Sequence, residues 1–213
     1  MKNILIVGLL IAVVGTAFGS VTPASAQTTS VTGAYLSASE QEDLIFMREE
    51  EKLAHDVYVT LYSTWRLPVF QNIANSEATH TAAIKRLLDQ YGIADPTAGK
   101  GVGEFTNPDL QKLYDQLVAQ GAKSLAEALK VGITIEEIDI LDLQTRIART
   151  ASADIKLVYS NLLRGSENHL RAFTSTLQRQ TGETYAPQYL DAATYGSIVG
   201  TSNRRGGWRG GNR

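Results

Sequence analysis

Apolar residues recur at three- and four-residue steps through most of the chain, and the rhythm breaks at clusters of Gly, Pro, Ser and Thr. Leu44, Met47, Ala54, Tyr58, Leu61 and Trp65 form the first stripe, with Glu51 set into it. It predicts a helix of about six turns that starts after Ser39 and closes before Pro68. Phe70, Ile73, Ile84, Leu87 and Tyr91 predict a second helix over about 69–91, ended by Gly92 and Asp95-Pro96. A loop over 97–103 follows. Asn107-Pro108 then opens a short helix that stops at Gly121, and the capping pair Ser124 and Glu127 opens another that ends near Gly132. Two further long helices are expected, over about 133–149 and 153–180. The inward stripe of the last one is Ile155, Val158, Leu162, Ser166, His169 or Leu170, Phe173 and Leu177.

No segment alternates with a period of two, so strands are not expected and the fold class is all-α. Four principal helices, with two short ones in the long connection between the second and third, predict an antiparallel four-helix bundle with one long crossover.

Polar residues on these stripes change the picture. Glu77 and His80 stand one helical turn apart between Ile73 and Ile84, on the face that must point inward. Glu51 and His169 occupy similar places on the first and last helices. A buried carboxylate without a partner is costly, so each of these acids calls for a metal, a cation or a proton. The third long helix offers Glu136, Glu137 and Asp139 beside its apolar line; either glutamate can point inward, and Glu136 and Asp139 have the spacing of a chelating pair. His55, one turn past Glu51, is read as pairing with an acid, with outer ligand as the alternative.

Composition narrows the chemistry. The chain has no cysteine, which excludes disulfides, thiolate metal sites and cysteine nucleophiles. An apolar run from Ile4 to Phe18 leads to Ala24-Ser25-Ala26, the form of a cleaved signal peptide over residues 1–26. A secreted or periplasmic protein with no transmembrane span is therefore expected. Residues 27–37 read as a linker, 38–190 as the helical domain and 191–213 as a disordered Gly/Arg-rich tail. Acidic residues outnumber basic ones overall, 22 to 20, and the tail holds four of the arginines, so the body is acidic and no specific nucleic-acid partner is expected. The tail could touch anionic surfaces.

Four ordered blocks carry a resemblance: Met47-Arg-Glu-Glu-Glu-Lys-Leu-Ala-His55-Asp-Val-Tyr58, Ser76-Glu-Ala-Thr-His80, Ile135-Glu-Glu-Ile-Asp-Ile140 and Gly165-Ser-Glu-Asn-His-Leu-Arg-Ala-Phe173. Together they resemble an uncharacterised ferritin-like family of exported bacterial and archaeal proteins. The resemblance implies one or two ions of iron or manganese, with Glu51, Glu77, His80, Glu136 or Glu137, and His169 as ligands. It also implies oxidoreductase or metal-handling chemistry. Ser166 departs from the pattern, because a glutamate is expected three residues before His169. Asp139, or Glu167 on a rotated helix, would have to replace it; otherwise one ion or none is held. A non-catalytic module that binds a partner or the cell envelope, with a metal-free polar core, is the alternative.

Overall fold

The computed structural model describes residues 36–201. The expected signal peptide and nearly all of the expected linker lie outside these residues, as do positions 202–213 of the tail. The described residues form six helices and no strand: α1 (Ala38–Trp65), α2 (Pro68–Tyr91), α3 (Pro108–Gly121), α4 (Leu125–Arg149), α5 (Ala153–Thr181) and α6 (Ala192–Gly200). No helix among them is long and apolar enough to cross a membrane.

Chain signals set most of the boundaries. α1 begins at Ala38, and its N-cap falls two residues earlier than Ser39. Ser37 is the N-cap, in a reciprocal capping box with Glu40. Asn107 caps α3, with Pro108 at its first position, and Ser124 caps α4 through the Glu127 amide. Gly92 and Gly182 end α2 and α5 in the left-handed conformation.

Two expectations are corrected. The break near Gly132 does not exist, since α4 runs unbroken from Leu125 to Arg149 and the crossover carries only α3. Gly132 is needed for a close helix approach: a methyl group there would sit 2.8 Å from the Phe173 ring of α5. The segment assigned to the tail also begins with structure. Asp191 accepts hydrogen bonds from the Ala193 and Thr194 amides, and α6 packs on α5 with Tyr195 and Ile198 buried.

Two antiparallel pairs organise the packing. α1 and α2 are joined by only two residues and pack along each other, as do α4 and α5. α2 also packs on α5 and α1 on α4, while α3 fills against α1 and α4. At one end an apolar cluster gathers Leu44, Met47, Ile84, Leu88, Leu143, Ile155 and Leu162. At the other end Tyr58 and Phe70 pack on Phe173 with tilted rings, the centroids 5.0 and 5.5 Å from it. The polar positions of the four stripes fall between these two dry ends.

The long connection is tied to the outer face of α1. Arg48 pairs with Asp95, Glu49 accepts from the Thr106 and Asn107 amides, Lys52 donates to the Gly101 carbonyl and Asp56 accepts from the Gly103 amide. The charged motif of α1 therefore splits by helix face. Glu51 and Tyr58 face the interior, and Arg48, Glu49, Lys52 and Asp56 hold the loop.

Candidate metal centre

α1, α2, α4 and α5 bring Glu51, Glu77, His80, Glu136 and His169 together in the interior. Glu51, Glu77 and Glu136 are only 1–2 % exposed and the two histidines 7–8 %, so bulk water is nearly excluded. Two groups of ligand atoms result. Glu51, Glu77 and His80 form one, Glu77, Glu136 and His169 form the other, and within each the atoms lie within 4.8 Å of one another.

Glu77 belongs to both. Its Oε2 is 2.7 Å from His80 Nδ1 and its Oε1 is 2.7 Å from His169 Nδ1. His80 Nδ1 is also 3.2 Å from Glu51 Oε2, and His169 Nδ1 is 3.5 Å from Glu136 Oε2. Both imidazoles thus turn Nδ1 toward the carboxylates. The other nitrogen of His169 meets Ser76 Oγ at 2.9 Å, which fixes the ring. His80 reaches its place because position 165 has no side chain. An alanine methyl there would lie 2.5 Å from His80 Nε2.

The polar accounting around these groups is incomplete. Glu51 Oε1, Glu77 Oε1, Asp139 Oδ1 and His169 Nδ1 are all buried without a hydrogen-bond partner in the protein. Glu77 Oε1 and His169 Nδ1 are close in distance yet outside hydrogen-bonding geometry. Orphaned buried acceptors of this kind are rare in native proteins. An oxygen-rich set with two imidazole nitrogens and no sulfur fits a divalent metal ion.

Electrostatics follows from burial and pairing. Burial favours the neutral form of Glu77, but the close approach of His169 and His80 outweighs it and holds the carboxyl at about 2. Burial likewise opposes charge on His80 and His169, but their carboxylate neighbours raise them to about 11 and about 10. For Glu51 burial wins against His80 and lifts the acid to about 7. Glu136 is raised by burial, which outweighs His169. Asp139 is pushed well above the carboxylate range by burial, then by the charges of Glu51 and Glu136.

The remaining sequence candidates separate clearly. Glu136 enters the centre, whereas Glu137 turns away and accepts from the Tyr185 hydroxyl and the Gln188 amide, pinning the segment before α6. Asp139 is buried beside the centre and takes a hydrogen bond from Ser166. Ser166, and not Glu167, faces inward on α5; its exposure is 1 %. His55 pairs with Asp56 at 2.8 Å, as expected of a histidine beside an acid.

Three contributors escaped the sequence reading. Tyr58, taken there only as a stripe residue, donates a 2.6 Å hydrogen bond to Glu136 Oε1. Its place seven residues after Glu51 was the available signal. Gly165, in mid-helix with no turn residues around it, had the pattern of a close approach. Ser76 left no signal.

The fold and centre define an all-helical protein with a buried carboxylate and imidazole cluster shared by four helices. Within that class, the chain belongs to the family described as uncharacterized protein domain DUF2202, whose sequence profile matches residues 40–202. It is 51 % identical over 171 residues to the uncharacterized protein MJ0754 of Methanocaldococcus jannaschii, covering 80 % of this chain and 92 % of that protein. A crystal structure of hypothetical protein MJ0754 from Methanococcus jannaschii is similar with a TM-score of 0.78. That match has 49 % identity and covers 82 % of this chain and 99 % of the other. Neither relative's name carries an activity.

Proposed function

We propose that the protein is an exported, ferritin-like metal-binding protein. In this reading α1, α2, α4 and α5 form a four-helix bundle that would hold two divalent ions, iron or manganese, with Glu77 shared by the two sets of residues that would bind them. Glu51 and His80 complete one position, and Glu136 and His169 the other. The observation that carries the reading is Glu77, which directs one oxygen to each imidazole at 2.7 Å while its Oε1 and His169 Nδ1 lack hydrogen-bonding geometry.

Bound iron or manganese would supply one-electron chemistry toward dioxygen or peroxide, or would itself be the cargo. The chain's own residues do the rest. The two apolar ends keep water out, Tyr58 orients Glu136, and Ser76 orients His169. His80 and His169 carry protons in the metal-free protein and must release them for their nitrogens to act as ligands.

A second reading rests on the same ion pairs. Glu77 held between two imidazolium groups is also a satisfactory charge arrangement for a metal-free polar core in a module that binds a partner or the cell envelope. Anaerobic loading with Fe²⁺ or Mn²⁺, gel filtration and elemental analysis separate the two. The metal-binding reading expects about two ions per chain, lost from Glu77→Ala and reduced in His80→Ala. A parent protein that emerges without metal would sink it.

A further inference from the structure

The α5 side of the centre lacks an acid, and the helices around it show where one comes from. Ser166, three residues before His169, places its Oγ on Asp139 Oδ2 and also lies 3.1 Å from the Leu162 carbonyl. Asp139 stands one turn beyond Glu136 on α4. It is 6 % exposed, and its Oδ1 meets no hydrogen-bond partner. The nearest arginine on its own helix, Arg146, is engaged with Asp43 and Asp142. Half of a buried carboxylate's acceptor capacity is thus unmet beside the centre, a costly arrangement unless a cation or a proton shares it. Ser166 follows Gly165, against which His80 packs, so Ser166 and Asp139 stand on the His80 side of the centre.

We propose that Asp139, fixed by Ser166, is the carboxylate that completes the metal position formed by Glu51, Glu77 and His80, in place of a ligand from α5. The inference rests on the metal-binding reading above and adds an asymmetry to it. One position then has three carboxylates and an imidazole, the other two carboxylates and an imidazole. The first is the tighter and fills first, since affinity for hard divalent cations grows with the number of charged oxygen ligands. Ser166 is a positioning residue: its hydroxyl holds one oxygen of Asp139 and leaves the other for the ion.

The test is a titration of the full protein with Mn²⁺, free ion being followed by its paramagnetic resonance signal, with circular dichroism to check folding. The parent should bind in two classes. Asp139→Asn should weaken the tighter class by at least about tenfold, Ser166→Ala by about tenfold, and Glu167→Gln not at all. Asp139→Asn that retains both parental affinities overturns this inference and leaves the metal reading standing. A parent that binds no Mn²⁺ overturns both. If Asp139→Asn does not fold, Ser166→Ala decides, and unchanged affinity in it overturns the inference.

Discussion

Gly165→Ala sets helix propensity against the centre. In an ordinary helix interior the change stabilises by roughly 0.5–1 kcal/mol, because glycine loses the most backbone freedom on folding. Here the new methyl would lie 2.5 Å from His80 Nε2 and 2.6 Å from its Cε1. Ordinary contact requires about 3.5 Å, so the imidazole must retreat by about 1 Å. His80 Nδ1 lies 2.7 Å from Glu77 Oε2 and 3.2 Å from Glu51 Oε2, and it cannot keep both distances after such a shift. Overpacking of this kind costs about 1–3 kcal/mol, so the metal-free variant should be level with the parent or less stable by up to about 2.5 kcal/mol. Ligand distances tolerate only about 0.2 Å, so affinity at the His80 position should fall by about ten- to a hundredfold. Urea unfolding of the metal-free protein and Mn²⁺ titration measure the two effects. Gly196→Ala is the control, because its methyl would meet nothing within 4 Å; it should stabilise slightly and leave binding unchanged. A Gly165→Ala protein that gains stability as the control does and binds metal as the parent does would refute the reasoning.

Tyr58→Phe removes the hydrogen bond to Glu136. It should cost about 1.5–3 kcal/mol of stability and weaken the Glu136/His169 position more than the other, as read by unfolding and titration. Proton release gives a pH signature: His80 and His169 are raised to about 11 and about 10 in the metal-free protein. Metal affinity should therefore climb between about pH 6 and pH 9, with protons released into buffer on calorimetry, and a flat profile would count against imidazole ligation. Without metal, the stabilisation from the histidines is complete below their usual 6.5 and is lost as pH rises toward about 10–11. That from Glu77 is complete above 4.5 and is lost as pH falls toward about 2. Glu49→Gln should free the 105–107 segment, seen as faster amide exchange at Thr106 and Asn107, with metal stoichiometry unchanged. Mass spectrometry of protein from its own cells should find a mature chain starting at Gln27; a retained Met1 would remove the case for export.

The helices were legible because their signals are local. Capping by Asn107 and Ser124, the glycine stop at 92 and the three- and four-residue apolar steps need only neighbouring residues to act. Gly132 misled for the same reason. A mid-helix glycine beside a capping pattern looks like a stop until Phe173 is known to press on it from another helix. The short α6 was hidden in a segment classed by its composition.

At the centre, the sequence by itself determined which residues were forced inward. Glu51, Glu77 and His80 sit on apolar stripes, with His169 or Leu170 at the matching place on the last helix, and helix periodicity points them inward, where they need partners. Only the tertiary structure decided how they meet. Glu136 and Glu137 are adjacent and flank the same apolar line; packing of α4 against α5 and against the 185–190 segment sends one to His169 and the other to Tyr185. The same holds for Glu77 standing between two histidines, for Asp139 lying under Ser166, and for the gap at Gly165 that admits His80. Periodicity fixes a direction about one helix axis, whereas a binding centre depends on distances between axes, and those are set by the side chains of every helix at once.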